Sequence, residues 1–525
     1  MTTTDPGSVP RPAGYRPLHP PTRLADLADL VGLPVGPATV PDGGPEITGA
    51  TLASAEVRPG DLYAALPGAR THGARFAADA AERGAVAVLT DPAGRAAAEA
   101  TGLPVCVVDD PRAVVGLVAD RVYGEPSRQL AVIGITGTNG KTTTAYLVEA
   151  GLAAAGRGTG LVGTVQTRTR GVGADGTPTV TAFPSVRTTP EAPALHALLA
   201  TMATAGVSAV VMEVSSHALV LGRVGGIRFA AAGFTNLGRD HLDFHGDLEE
   251  YFRAKALLFD GRAARELVTV DGDAGRRLAA LRPDAATVAI SGAADWTATD
   301  VAPAPGGGST FTLHGPGGSW PARLRLPGRF NVANAVLAVA LLDAVGVPVG
   351  SALAGLAETV VPGRMEPVDA GQPFVAVVDY AHTPDAVSTA LAALRGGTTG
   401  RLIAVLGCGG DRDPGKRAAM GTAAAAGSDV LVVTDDNPRS EDPAAIRAAM
   451  LAGVPDVPED RRAEVLEVAG RRDALATAVA LARPGDTLLV AGKGHETGQE
   501  VAGTVHPFDD RQVLREVLAA LGTPT

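Results

Sequence analysis

The chain is short of several things. Two cysteines, Cys106 and Cys408, in 525 residues cannot build a disulfide framework, which points to a reducing compartment. No uninterrupted apolar stretch reaches the ~18 residues of a membrane span; the best candidate, near 332–349, is broken by Asn334 and Asp343. The N-terminus lacks the apolar run of a signal peptide. There is no basic block, and 45 Lys+Arg against 56 Asp+Glu leave a net charge of −11, which argues against a nucleic-acid partner. These absences predict a cytoplasmic protein with neither a membrane nor a nucleic-acid partner.

Lysine is the most informative scarcity. Only four of the 45 basic residues are lysine: Lys141, Lys255, Lys416 and Lys493. The Ala/Gly/Arg-rich composition reads as a bias that puts arginine wherever a generic surface cation suffices. Each surviving lysine is then a candidate for a job that needs a compact point charge or an amine able to lose its proton, against chance survival on a solvated face.

What is present is material for packed cores: 46% hydrophobic residues and 19% charged. At roughly 100–200 residues per domain the length predicts about three domains. Residues 1–22 carry six prolines and no apolar periodicity, the pattern of a disordered tail. Apolar runs at Asp61–Leu66, Ala85–Thr90, Leu130–Thr136, Ser208–Met212 and Ala230–Phe234 read as strands, and Lys141–Ala155 as a helix. A hairpin is expected over Ser309–Leu313 and Ala322–Leu326, and a helix over Asn331–Val345. Beyond Pro362–Gly363, runs at Phe374–Val378, Leu402–Leu406, Val430–Thr434 and Thr487–Val490 predict a second open α/β sheet.

Gly137-Thr-Asn-Gly-Lys-Thr142 lies between a strand and a helix. Backbone N–H groups of such a loop face an anion, Lys141 offers charge to phosphates and Thr142 a hydroxyl to Mg²⁺. The strict P-loop pattern wants Gly where Ile135 stands; an ordinary Gly-rich turn is the bland alternative. Glu213 ends a strand of the same sheet, placed either to hold Mg²⁺ or simply in solvent. His241, in Asn236-Leu-Gly-Arg-Asp-His-Leu-Asp243, is a metal-ligand candidate, though a lone histidine is more often structural. Lys255 lies among apolar and aromatic neighbours. Burial would free its amine to take up CO₂ as an anionic carbamate, but spacing alone favours a helix lysine stretching to solvent. Three later loops, Gly407–Asp413, Asp435–Arg439 and Ala491–Glu496, combine Arg412, Asp436, Arg439 and Glu496. That mixture suits a ligand with carboxylates and ammonium groups; helix capping and turn chemistry remain open.

Together, Gly137–Thr142, Glu213-Val-Ser-Ser-His217, Asn236–Asp243, Lys255, Asp379-Tyr-Ala-His-Thr-Pro-Asp385 and Asp436-Asn-Pro-Arg439 resemble the Mur ligases of peptidoglycan synthesis, over about residues 45–520. The resemblance is to the members that add the third residue of the stem peptide. It implies an α/β protein of three domains: a small N-terminal UDP-binding domain (23–126), a central P-loop-type ATPase domain (127–362) and a C-terminal Rossmann-like domain for the amino acid (363–525). The implied reaction joins meso-2,6-diaminopimelate to UDP-N-acetylmuramoyl-L-alanyl-D-glutamate through an acyl phosphate, with ATP and Mg²⁺, in a monomer.

By the same resemblance Lys141, Glu213, His241 and Lys255 are catalytic. Gly137, Thr138, Asn139, Gly140, Lys141, Thr142, Thr143, Asn331, Arg364, Asp379 and His382 meet ATP. Thr142 and Glu213 hold one Mg²⁺; His241 and Lys255, carbamylated by CO₂, hold another. Leu52, Ser54, Thr188, Thr189, Ser215 and Arg223 contact the UDP-muramoyl dipeptide. Arg412, Asp436, Asn437, Pro438, Arg439, Gly492 and Glu496 contact diaminopimelate. Leu221 stands where relatives often carry a glutamine, so one hydrogen bond to the dipeptide is in doubt, and the UDP contacts of Gly68–Gly73 are loosely fixed. Two other readings compete: a folylpolyglutamate synthetase, which has no reason to carry Arg412, Asp436–Arg439 and Glu496, and a non-catalytic ATP-binding regulator, which has no reason to keep the Lys141, Glu213, His241 and Lys255 set.

Overall fold

The computed structural model describes residues 17, 19–33, 44–68, 70–172, 178–183, 185, 187–304 and 308–521. Most of the expected N-terminal tail therefore lies outside the described residues, as does Ala69 of the Gly68–Gly73 loop. The end of that tail is ordered: Thr22–Arg23 pairs antiparallel with Glu46–Ile47. The chain packs as two compact units, one built from the chain up to Ala289 with Leu337–Gly355, the other from Ile290–Val336 with Leu356 onward.

The first unit holds two sheets. Strands Gly49–Thr51, Asp61–Ala64, Ala85–Thr90 and Val105–Val107 pair in parallel in that order. The larger sheet has a parallel centre: Thr159–Val162, Ala209–Glu213, Ala131–Thr136, Ala231–Phe234, Glu266–Thr269 and Ala286–Ala289. An antiparallel hairpin, Thr167–Val172 with Pro178–Phe183, extends it beside Thr159–Val162. Strands covered by helices on both faces must be apolar on both faces, which is why they read as continuous apolar runs. Val132, Ile133 and Ile135 are all buried, as are Val210, Val211 and Met212.

In the second unit Trp296–Pro303, Ser309–Gly315 and Gly318–Leu324 form an antiparallel meander. Its main sheet runs Glu366–Pro367, Val375–Asp379, Thr487–Ala491, Leu402–Leu406, Val430–Val433 and Glu464–Glu467. All neighbours are parallel except the first pair. The motif Asp379–Asp385 is partly structural. Thr383 caps the helix Pro384–Arg395 by accepting from the Ala386 amide, and Pro384 occupies the first helical turn, where its missing N–H costs nothing. A small hairpin, Gly498–Val501 with Thr504–Pro507, follows the last strand of the sheet.

Candidate active site

In both units several of the candidate residues follow the carboxyl ends of parallel strands, where open α/β sheets place their ligands. In the first unit strand Ala131–Thr136 runs into the loop 137–140, and helix Lys141–Ala154 leaves it. Gly137 has φ 149°, and a Cβ there would fall 1.8 Å from the Thr235 hydroxyl; Gly140 has φ 87° at the helix N-cap. Glycine is required at both. The loop is braced from across the sheet. Thr138 N donates to Asn236 O at 2.9 Å, Asn139 N to Asn236 Oδ1 at 3.0 Å, and Thr235 Oγ1 to Asn139 O at 2.6 Å. Lys141 Nζ donates to the Gly137 and Thr138 carbonyls at 2.8 and 2.9 Å.

Thr142 Oγ1 donates to Glu213 Oε2 at 2.9 Å, which brings the two first-metal candidates together. Glu213 also accepts from Thr164, through N at 2.8 Å and Oγ1 at 3.2 Å. Thr164 Oγ1 in turn lies 2.9 Å from Thr188 Oγ1. Thr189 Oγ1 donates to Glu213 O at 2.9 Å and accepts from Ser215 N at 3.1 Å. Arg223 Nη1 donates to Thr189 O, and its Nη2 pairs with Glu191 at 2.9 Å. One bonded chain therefore runs from Thr142 through Glu213 to Thr188, Thr189, Ser215 and Arg223.

Lys255 lies on helix Leu248–Ala256 and is 1% exposed. The expectation from spacing, a helix lysine reaching solvent, is thus overturned: the apolar side of its short helix turns the amine inward. Its Nζ donates to Gly137 O at 2.8 Å and stands 4.3 Å from the centre of the Tyr251 ring. Burial, with Lys141 nearby, pushes its pKa well below that of an ordinary lysine. His241, left-handed at φ 53° and half exposed, lies on another side of Tyr251, ring centres 6.4 Å apart, and 5.0 Å from the His217 ring. Leu52 is partly buried and packs against the core beside the four-stranded sheet, and Ser54 opens the turn Ser54–Glu56.

Oxygen donors suit Mg²⁺, which keeps several waters and takes few protein ligands. Among the described residues no group of three or more His, Cys, Asp or Glu could hold a metal. The Thr142 hydroxyl beside the Glu213 carboxylate is the donor pair that fits.

In the second unit Asp379 accepts from Met365 N at 2.7 Å and Ala381 N at 2.8 Å, and burial raises its pKa against the pull of Arg364. Arg364 lies over the Tyr380 ring at 4.4 Å. His382 and His495 flank that ring at 4.6 and 5.0 Å. Asn331 is buried and donates to Pro327 O at 2.8 Å.

The amino-acid candidates also gather. Asn437 Nδ2 donates to Glu496 Oε2 at 2.8 Å. Arg439 Nη1 donates to Gly410 O at 2.6 Å, and its Nε lies 3.4 Å from Glu500 Oε2. A Cβ on Gly409 would stand 3.0 Å from Arg439 Nη1 and 3.8 Å from Arg412 Cγ, so both arginines border that glycine. A Cβ on Gly492 would stand 2.6 Å from Asp436 Oδ2. Asp436 is buried, which raises its pKa, while Arg471 and Lys493 oppose the rise. Arg471, fully buried, pairs with Asp510.

Several of these partners were invisible to motif reasoning. Thr164 follows a strand that carries no motif, and Tyr251 looks like core. Glu500 lies in a hairpin of ordinary composition. Lys493 did carry a signal, as one of four lysines.

Three matches with known families cover most of the chain: the Mur ligase family, catalytic domain, over residues 46–123; the Mur ligase middle domain over 135–342; and the Mur ligase, glutamate ligase domain, over 363–494. A UDP-N-acetylmuramoyl-L-alanyl-D-glutamate–2,6-diaminopimelate ligase of Streptomyces coelicolor is 55% identical over 503 residues, 95% of this chain and 96% of that one. A UDP-N-acetylmuramyl-tripeptide synthetase of Leifsonia xyli is 45% identical over 98% of this chain and 99% of its own. Among solved structures, a UDP-N-acetylmuramoyl-L-alanyl-D-glutamate–2,6-diaminopimelate ligase aligns with TM-score 0.70 and 29% identity, covering 96% of this chain and all of that one. A folylpolyglutamate synthase of Mycobacterium tuberculosis shares the fold at TM-score 0.58 and 22% identity over 73% of this chain and 93% of its own.

Proposed function

The chain belongs to the Mur ligase family, and on that footing we propose that it joins meso-2,6-diaminopimelate to UDP-N-acetylmuramoyl-L-alanyl-D-glutamate at the expense of ATP, in the synthesis of peptidoglycan precursors. The observation that carries the choice of substrates is the cluster of Arg412, Asp436, Asn437, Arg439 and Glu496 in one set of loops. Two cations and two carboxylates there match an amino acid with two carboxylates and two ammonium groups.

The reaction has two steps. The side-chain carboxylate of the D-glutamyl residue attacks the γ-phosphorus of ATP, the bond to the β-phosphate oxygen breaks, and an acyl phosphate and ADP result. The free amine of diaminopimelate then attacks the acyl carbon, and inorganic phosphate leaves as the amide forms. The protein supplies positioning and charge. Lys141 exchanges its loop carbonyls for phosphate oxygens, which accept more strongly because they are ionised. Thr188, Thr189, Ser215 and Arg223 hold the dipeptide, with Leu52 and Ser54 towards its uridine end. Asn331, Arg364, Asp379 and His382 hold the nucleotide.

Thr142 with Glu213 would hold one Mg²⁺, and His241 with Lys255 as a carbamate a second; the ions would neutralise charge on the transferring phosphoryl group. The carbamate forms when the uncharged Lys255 amine adds to CO₂ and releases a proton. Burial and the nearby Lys141 cation favour that uncharged amine, and the same cation would offset the negative charge of a carbamate.

Domain limits at 23–126, 127–362 and 363–525, a monomeric state and a cytoplasmic location belong to the same reading. Phosphate release, measured with ATP and UDP-N-acetylmuramoyl-L-alanyl-D-glutamate with and without meso-diaminopimelate, tests it. Release should depend on both co-substrates. Release that requires neither, or that is driven by a folate and glutamate instead, overturns the proposal.

A further inference from the structure

Lys493 is 0% exposed, and no role yet described explains why this chain, which spends arginine almost everywhere, keeps a lysine there. Its Nζ meets three acceptors: Gly498 O at 2.6 Å, Asn437 Oδ1 at 3.2 Å and Glu496 Oε2 at 3.3 Å. An ammonium has three donors, so all are used. The same contacts orient two side chains of the amino-acid site. Asn437 Oδ1 also accepts from Glu500 N at 3.0 Å, which leaves its Nδ2 to donate to Glu496 Oε2 at 2.8 Å. Glu496 Oε2 therefore takes two donors, and Oε1 is the oxygen left to receive a ligand.

We propose that Lys493 is a positioning residue of the amino-acid site: its ammonium locks the Asn437 amide, and with it the Glu496 carboxylate, in the orientation that leaves Glu496 Oε1 to receive an ammonium group of the incoming amino acid. This rests on the reading of that site as the diaminopimelate site. A guanidinium cannot substitute. Its donors spread over a planar fork rather than converge from one nitrogen, and its extra atoms would overfill a fully buried slot. Lys493 also ties the hairpin to the site. With Gln499 Nε2 donating to Asp436 O at 2.6 Å and Arg439 N to Glu500 O at 2.9 Å, it secures Gly498–Pro507 against the Asp436–Arg439 loop.

The test compares wild type with Lys493→Met and Lys493→Arg. Two quantities are read: KM for each of the three substrates, and βγ-bridge to β-nonbridge isotope scrambling in ATP. Scrambling reports acyl-phosphate formation with the dipeptide alone, without the amino acid. Both variants should raise KM for meso-diaminopimelate tenfold or more, with KM for ATP and dipeptide, and scrambling, within about twofold of wild type. KM for diaminopimelate within twofold of wild type in either variant overturns the proposal. So does parallel loss of scrambling and of every substrate, or failure of both variants to fold, which would make Lys493 a purely structural residue. A wild-type enzyme that scrambles ATP but does not use diaminopimelate strikes instead at the reading of the site.

Discussion

Lys141 and Lys255 donate to the same acceptor, the carbonyl oxygen of Gly137, each at 2.8 Å. Two ammonium groups around one oxygen repel, and their surroundings decide which keeps its charge. Lys141 is only partly buried and has a second carbonyl, Thr138 O. Lys255 is sealed in and lies beside Lys141, so its proton is the one disfavoured. One loop carbonyl thus gathers two amines, one of which burial holds away from its charged form.

If Lys255 acts as a carbamate, Lys255→Ala should lose nearly all turnover. Lys255→Arg should not restore it, because a guanidinium does not form this carbamate. Short carboxylic acids added to the Ala variant should recover part of the rate by standing in for the carbamate. Steady-state phosphate release measures all three, and a fully active Lys255→Arg would rule the carbamate out.

The same burial has a stability cost. The folded-state pKa of Lys255 is depressed, so between that value and the unfolded value of about 10.4 the unfolded chain binds the extra proton. Wild-type stability therefore climbs with pH through that window. In CO₂-depleted buffer at pH 7, Lys255→Met should melt higher than wild type, by about 2–4 °C for each kcal/mol relieved. The advantage should shrink as pH approaches 10. Lys141 still serves the Gly137 carbonyl in the variant, so no acceptor is orphaned. Thermal melts from pH 7 to 10 check this; a difference that is flat in pH, or of opposite sign, refutes it.

Much of this was legible in the sequence, for identifiable reasons. Strands buried on both faces announce themselves as apolar runs, and Leu402–Leu406 and Ala85–Thr90 fall where expected. Glu464–Glu467 was not legible, because an edge strand with a carboxylate at each end carries no such run. Nor was the hairpin Thr167–Val172 with Pro178–Phe183, whose threonines and arginines mask its period. At the site, motifs contiguous in sequence were legible. Pairings that need the fold, such as Thr164 with Glu213 or Lys493 with Asn437, were not, since nothing local encodes them. Lys255 shows the limit best. Spacing put its amine in solvent, and tertiary packing put it against the Gly137 carbonyl.

His495 should make the protein acid-sensitive. Burial, assisted by Arg364, holds its pKa down at about 4 against an ordinary 6.5. Between those values the unfolded chain takes up a proton that the folded chain refuses, so stability is lost as pH falls from 6.5 towards 4. The loss is on the order of 3 kcal/mol at most, at 1.36 kcal/mol per pKa unit. His495→Gln should flatten this part of the profile. Urea denaturation of both proteins at pH 7 and 4.5 reads it directly; an equal loss in the variant assigns the acid sensitivity elsewhere.

The choice between meso-diaminopimelate and L-lysine turns on one carboxylate at the distal carbon, and Arg439 is the proposed grip for it. A guanidinium binds a carboxylate through two parallel hydrogen bonds. Here Arg439 already spends Nη1 on Gly410 O and faces Glu500 from Nε, in a left-handed backbone conformation at φ 54°. It is thus held ready by protein groups. Lysine in the site would leave the cation desolvated without its carboxylate, a penalty on the order of a few kcal/mol. At 1.4 kcal/mol per tenfold, that amounts to discrimination of roughly a hundredfold or more. Arg439→Ala should therefore lower kcat/KM for diaminopimelate by about that factor, with KM for ATP and dipeptide little changed. Gly409→Ala, whose new methyl would press on Arg439 Nη1 from 3.0 Å, should move kcat/KM in the same direction by less. Competition kinetics with the two amino acids checks both variants. Equal use of L-lysine by wild type, or unchanged diaminopimelate kinetics in Arg439→Ala, would move the carboxylate site away from Arg439.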